Sequence, residues 1–251
     1  MENKKLENNE DYLKPNYITC KKTVVLDCDE ILCNISPKWV RLVYEESETF
    51  NKYFKLKDSF NFYGKDYYDV LNREEYLIQN YLKYHDEIQE SDKPEIEKKL
   101  YDLYRRPDFY VDLFPTNYGS AMSKGAIHTM IDKVYVISKV LDDSNYRGKE
   151  AFIKKLFKAS SSKLEIIKVG MNEKKSDYIK QLGDEICLYA EDDMNNIIDV
   201  FEECDNMNEM FLQIPKLGYN LPTDRLVQLS EYRNLKVTYF DPIQAQVNEN
   251  I

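Results

Sequence analysis

From Pro107 onward the chain alternates between short apolar, β-branched runs and stretches with helical spacing. That alternation constrains the fold more than any other feature. A strand that reads apolar throughout has both faces covered, and helices between successive strands cover them, so the strands run parallel. Val134–Ile137, Leu164–Val169, Ile186–Ala190, Met210–Ile214 and Leu235–Phe240 are predicted strands. Lys149–Phe157, Ser176–Leu182, Asn196–Cys204 and Asp224–Tyr232 are predicted helices. One more such strand, Thr23–Leu26, lies far upstream. After it, Ser36-Pro37 opens a helix over 36–48, with Trp39, Val40, Leu42 and Val43 as its apolar stripe. The expectation is an α/β fold with a doubly wound parallel sheet.

The stretch 49–108 has a different texture. It is rich in Tyr, Lys and Glu and offers no convincing strand. Ile96, Leu100 and Leu103 fall at i, i+4 and i+7, and Tyr76, Leu77, Asn80, Tyr81 and Tyr84 make a second stripe. Pro94 suits the first turn of the last long helix. We read 49–108 as a helical insertion, 22–48 and 109–251 as the α/β core, and 1–21 as a polar lead-in.

Composition removes several classes. With 35 Lys+Arg against 45 Asp+Glu, the net charge of −10 argues against a duplex-DNA binder, which needs a basic face. No run approaches the roughly 18 apolar residues of a membrane span. The polar N-terminus lacks the apolar core of a signal peptide. Five Cys without a CxxC pair and only two His leave no zinc framework and no multi-His metal site. These features suit a cytoplasmic protein. The Lys, Asn, Tyr and Ile bias suggests an AT-rich microbe or phage, and host cytoplasm in the viral case.

In open α/β sheets the ligand sits beyond the carboxyl ends of the strands. Asp27, Cys28 and Asp29 follow the first strand, Ser138 the second, Lys174 and Lys175 lie a few residues past the third, and Glu191, Asp192 and Asp193 follow the fourth. Carboxylates gathered at one sheet edge repel one another unless a cation sits among them. An all-oxygen ligand set favours Mg²⁺. One carboxylate of Asp27-Cys28-Asp29 can attack phosphorus, and the other can protonate the leaving oxygen and later deprotonate water. A metal-held Asp27 stays ionised while Asp29 is free to carry a proton. Ser138 can hydrogen-bond a phosphoryl oxygen, and Lys175 can neutralise charge there.

These motifs resemble those of the haloacid dehalogenase superfamily. VVLDCDEIL is similar to its first motif, VYVIS to the second, Lys175 in KKSDYI to the third and ICLYAEDDMNNI to the fourth. FYVDLFPTNYGSA and LQIPKLGYN resemble phrases of the 5′(3′)-deoxyribonucleotidase-like branch. The resemblance spans roughly 22–220. It implies a Rossmann-like core with an inserted helical cap over 49–108, hinged near 35–50 and 107–115. It further implies a Mg²⁺-dependent phosphatase working through an aspartyl phosphate. Asp27, Asp29, Ser138 and Lys175 are its catalytic candidates, and Asp27, Asp29, Glu191, Asp192 and Asp193 its metal candidates. The expected partner is a small phosphate ester of the nucleoside monophosphate class. The oligomeric state stays open, a homodimer being one option.

Departures and alternatives accompany this reading. Glu30 stands where many relatives carry Gly, and Lys139 where a small residue is common. The paired acids of the fourth motif are either Glu191-Asp192, which places Asn196 five residues after the first, or Asp192-Asp193, with Asp193 otherwise a helix cap. Alternative functions are a phosphatase for another small ester or a nucleic-acid end, and a non-catalytic binding protein on the same scaffold.

Overall fold

The computed structural model describes residues 23–62, 64–127, 131–183 and 185–242. The expected lead-in over 1–21 and His128 lie outside these. Six strands form one parallel sheet: β1 (Thr23–Leu26), β2 (Lys133–Val140), β3 (Leu164–Gly170), β4 (Ile186–Ala190), β5 (Phe211–Pro215) and β6 (Lys236–Phe240). Their order is β3-β2-β1-β4-β5-β6, so the chain builds outward on one side of β1 and then returns to build on the other. The crevice at that reversal, beside β1, is where such sheets bind ligands. The doubly wound α/β architecture expected from the strand–helix alternation is the one observed.

The apolar runs explain themselves once both faces are seen. Val24 and Leu26 join one buried cluster and Val25 the other. The first cluster packs under α1 (Ile35–Glu45), α6 (Asn117–Ile127) and α7 (Asp143–Leu156), the second under α8 (Lys175–Ile179), α9 (Met194–Glu203) and α10 (Asp224–Tyr232). Each such buried aliphatic side chain contributes roughly 1.5–3 kcal/mol. Two elements differ from expectation. β2 runs on to Val140, so Ser138 lies inside the strand, opposite Lys168 of β3. α7 begins at Asp143, six residues earlier than predicted, because Asp142 caps it by accepting from the Asn145 amide at 2.9 Å.

Between α1 and α6 the described residues form α2 (Ser47–Phe50), α3 (Lys65–Leu71), α4 (Ile78–Leu82) and α5 (Lys93–Tyr104), and no sheet strand. Pro94 sits in the first turn of α5. Phe50, Phe54, Val70, Ile96, Leu100 and Leu103 bury against α1, in one cluster with Trp39 and Val40. The Trp39 indole N–H donates to the Leu100 carbonyl at 2.9 Å. A second seam joins the end of α3 to the loop after β5. There Leu71 packs with Leu217, and a Cβ on Gly218 would lie 2.2 Å from the Asn72 carbonyl oxygen and 2.4 Å from that of Arg73.

Candidate active site

A cavity of about 310 Å³ opens over the carboxyl ends of β1, β2 and β4, and α1, α4, α5 and the stretch 73–77 wall its other side. All seven residues singled out in the sequence line it: Asp27, Asp29, Ser138, Lys175, Glu191, Asp192 and Asp193. They divide into two groups.

The first group surrounds Asp27. Its amide donates to the Ala190 carbonyl at 2.9 Å, prolonging the β1–β4 ladder by one residue and fixing the side chain at the sheet edge. Lys175, at the start of α8, pairs with Asp27 Oδ1 at 2.8 Å and with Glu191 Oε2 at 2.7 Å. Lys175 is buried, which works against its charge, but Asp27 and Glu191 outweigh that and raise its pKa. Glu191 also accepts from the Tyr189 hydroxyl at 2.9 Å, the Asp193 amide at 3.2 Å and Asn196 Nδ2 at 3.4 Å. Asp192 accepts from the Tyr219 hydroxyl at 2.9 Å. Burial pushes the Asp192 carboxyl well up, and Glu191 and Asp27 add to the push. Burial likewise raises Glu191, against the pull of Lys175.

Asp27, Glu191 and Asp192 offer oxygens within 4.8 Å of one another. One buried ammonium faces three buried carboxylates, so negative charge is left over. An all-oxygen donor set with residual charge fits a hard divalent cation such as Mg²⁺. Asp193 stands apart from this group: its carboxylate accepts from the Asn195 amide at 2.9 Å and caps α9. The geometry thus joins Glu191 and Asp192, rather than Asp192 and Asp193, to Asp27. Lys174 points away from the cavity and pairs with Asp199.

The second group surrounds Asp29, which does not join the carboxylate cluster. Its Oδ1 accepts from the Tyr110 hydroxyl at 3.0 Å, and its Oδ2 from the Tyr104 hydroxyl and from Lys149 Nζ at 2.8 Å. Lys149 also donates to Ser138 Oγ at 3.1 Å and to the Lys139 carbonyl at 2.6 Å. Cys28, between the two aspartates, is fully buried in the fold.

Glu30 accounts for its own oddity. Its φ of 56° lies in the left-handed region where glycine is the easy choice, and here a glutamate occupies it. Its carboxylate turns inward and accepts from the Ser36 amide at 2.9 Å and from the Ser36 hydroxyl, tying down the first turn of α1. Burial raises its pKa, opposed by Arg73.

Sequence reasoning missed Lys149, Tyr104, Tyr110, Tyr189 and Tyr219 as site residues. Lys149 had a readable signal: the buried face of α7 is Asn145, Gly148, Lys149, Phe152 and Ile153, a helical stripe with a lysine in it.

Among the described residues no helix is long and apolar enough to cross a membrane. No family model matches the sequence, and no curated protein matches it. Among solved structures, a haloacid dehalogenase-like hydrolase from Burkholderia xenovorans superposes with a TM-score of 0.47, at 12% identity, over 88% of this chain and 96% of that one. A second structure, described as a dehalogenase, superposes with a TM-score of 0.43, at 9% identity, over 92% of this chain and 96% of that one.

Proposed function

We propose that this protein is a Mg²⁺-dependent phosphomonoesterase of the haloacid dehalogenase type, acting on nucleoside monophosphates. The observation that carries the reading is the placement of Asp27: at the end of the central strand, ion-paired with Lys175 at 2.8 Å, and gathered with Glu191 and Asp192.

Asp27 is the nucleophile. Its carboxylate oxygen attacks phosphorus, the bond from phosphorus to the ester oxygen breaks, and Asp29 gives its proton to the departing alcohol. Asp29 then takes a proton from water, which attacks the aspartyl phosphate, releasing phosphate and restoring Asp27. Lys175 offsets charge on Asp27 and on the phosphoryl group, and Ser138 donates to a phosphoryl oxygen. Asp27, Glu191 and Asp192 would hold the Mg²⁺, which when bound supplies positive charge to the phosphoryl oxygens.

The segment 49–108 acts in this reading as a cap, closing over the strand ends to exclude water. Its Tyr76 and Tyr101 line the cavity, which supports an aromatic base as part of the substrate. The test is release of phosphate across nucleoside monophosphates and sugar phosphates, with and without Mg²⁺. Mg²⁺-dependent release with a clear preference for nucleotides is expected. Equal rates on sugar phosphates remove the nucleotidase part, and no release from any ester removes the whole reading.

A further inference from the structure

Asp29 is held more firmly than its surroundings require. Its side chain keeps 17% of its exposure, yet it is not left to solvent. Instead three protein donors converge on it from three separate parts of the chain. Tyr104 is the last residue of α5, Tyr110 lies in the stretch returning from α5 to α6, and Lys149 belongs to α7. The two phenol oxygens are themselves 2.9 Å apart.

The donors are held in turn. The Tyr104 ring stacks on Trp39 at 5.1 Å and meets the edge of Phe109 at 5.0 Å. The Tyr110 ring closes on Gly148, where a Cβ would come within 3.0 Å of it. The Lys149 ammonium spends its other contacts on Ser138 Oγ and the Lys139 carbonyl. Tyr104 and Lys149 fill both acceptor sites of Oδ2, so a proton carried by Asp29 sits on Oδ1, beside Tyr110, at the cavity wall shared with Asp27 and Ser138.

A group that hands a proton to a leaving oxygen works only from a narrow range of positions, and a displacement of about 1 Å costs roughly 10²-fold in rate. We infer that Tyr104, Tyr110 and Lys149 are positioning residues for Asp29, fixing the orientation from which it protonates the departing alcohol. The inference rests on the phosphomonoesterase reading and adds to it residues that none of the four motifs marks.

The test compares an alkyl phosphate with p-nitrophenyl phosphate in the unmodified protein and in Tyr104→Phe, Tyr110→Phe, the double variant and Asp29→Asn. An alkoxide needs a proton to leave, whereas p-nitrophenolate leaves without one. The quantity read is kcat/KM, which covers steps only up to departure of the alcohol and excludes the later attack of water. The alkyl-to-aryl ratio of kcat/KM should fall about tenfold in each Phe variant, further in the double, and by roughly 10²–10⁴ in Asp29→Asn. A ratio that stays constant while both rates fall makes the phenols merely structural and overturns the inference alone. Failure of the unmodified protein to hydrolyse either ester overturns the phosphomonoesterase reading and the inference with it.

Discussion

Asp27 and Asp29 stand two residues apart on one turn and keep opposite company. Asp27 is buried among acids, with Glu191 and Asp192 beside it and Lys175 as the ammonium that faces it. Among the described residues Asp29 meets no other carboxylate at hydrogen-bonding range, and it is served by two phenols and an ammonium. The first environment carries surplus negative charge and suits a cation. The second is a neutralised, hydrogen-bonded seat for one side chain. The same residue type is thereby fitted for two jobs, and environment makes the division.

The largest effect expected from this contrast is on turnover. Asp27→Asn keeps the shape and removes the proposed nucleophile, so phosphate release should fall by about 10⁴-fold or more for every ester, with an unchanged circular dichroism spectrum. Turnover near that of the unmodified protein would end the assignment of Asp27.

Next comes stability. Lys175→Met leaves Asp27 and Glu191 buried without their partner, and unfolding in urea without added metal should show a loss of about 3–5 kcal/mol. Lys149→Met leaves Asp29 with both phenol donors, and its loss should stay near 1–3 kcal/mol. Equal losses would erase the distinction between the two seats. Adding Glu191→Gln to Lys175→Met should recover part of the loss, since the pair is coupled.

The metal sharpens the comparison on a finer scale. Activity should vanish with a chelator and return with Mg²⁺. Asp192→Ala should raise the Mg²⁺ concentration needed for half activity by about 10–100-fold, while Asp193→Ala, which removes a helix cap, should leave that concentration within a few-fold and cost about 1 kcal/mol of stability. The reverse ranking would move the metal to the Asp192-Asp193 register.

The smallest effect concerns one of the phenols on Asp29. Tyr110→Phe removes one of the three donors to Asp29, together with the contact to the Tyr104 hydroxyl, and should cost about 1 kcal/mol in thermal or urea unfolding. A loss as large as that of Lys149→Met would mean that the phenol, not the ammonium, carries the seat.

The acids were legible because the strand-end rule turns a linear pattern into a location. Asp27, Asp29, Glu191 and Asp192 each follow an apolar run, and parallel strands deliver their ends to one edge. The residues that seat Asp29 went unread for three separate reasons. Lys149 was passed over because α7 starts earlier than its sequence suggests; with the helix begun at 149, the lysine is its first residue rather than part of a buried stripe. Tyr104 is one of 21 tyrosines, and its stripe of Ile96, Leu100 and Leu103 reads as packing alone. Tyr110 stands outside any helix or strand, where periodicity says nothing. Ser138 was found despite a misplaced strand end, since β2 continues past it. Glu30 was noticed as unusual, but only the backbone shows that its position asks for a left-handed residue.

The seam at Gly218 limits how this sequence can diverge. Its φ is not in the left-handed region, so conformation does not demand glycine there; the carbonyls of Asn72 and Arg73 do, by occupying the space of any Cβ. Even alanine is too large. The loop after β5 and the turn after α3, nearly 150 residues apart in sequence, are therefore not free to vary separately. A lineage that lengthens or reshapes the helical segment must hold this meeting of backbones or rebuild both sides at once. Variation in the segment should then accumulate around 55–62 and 83–95, which are largely exposed, before it touches 71–73.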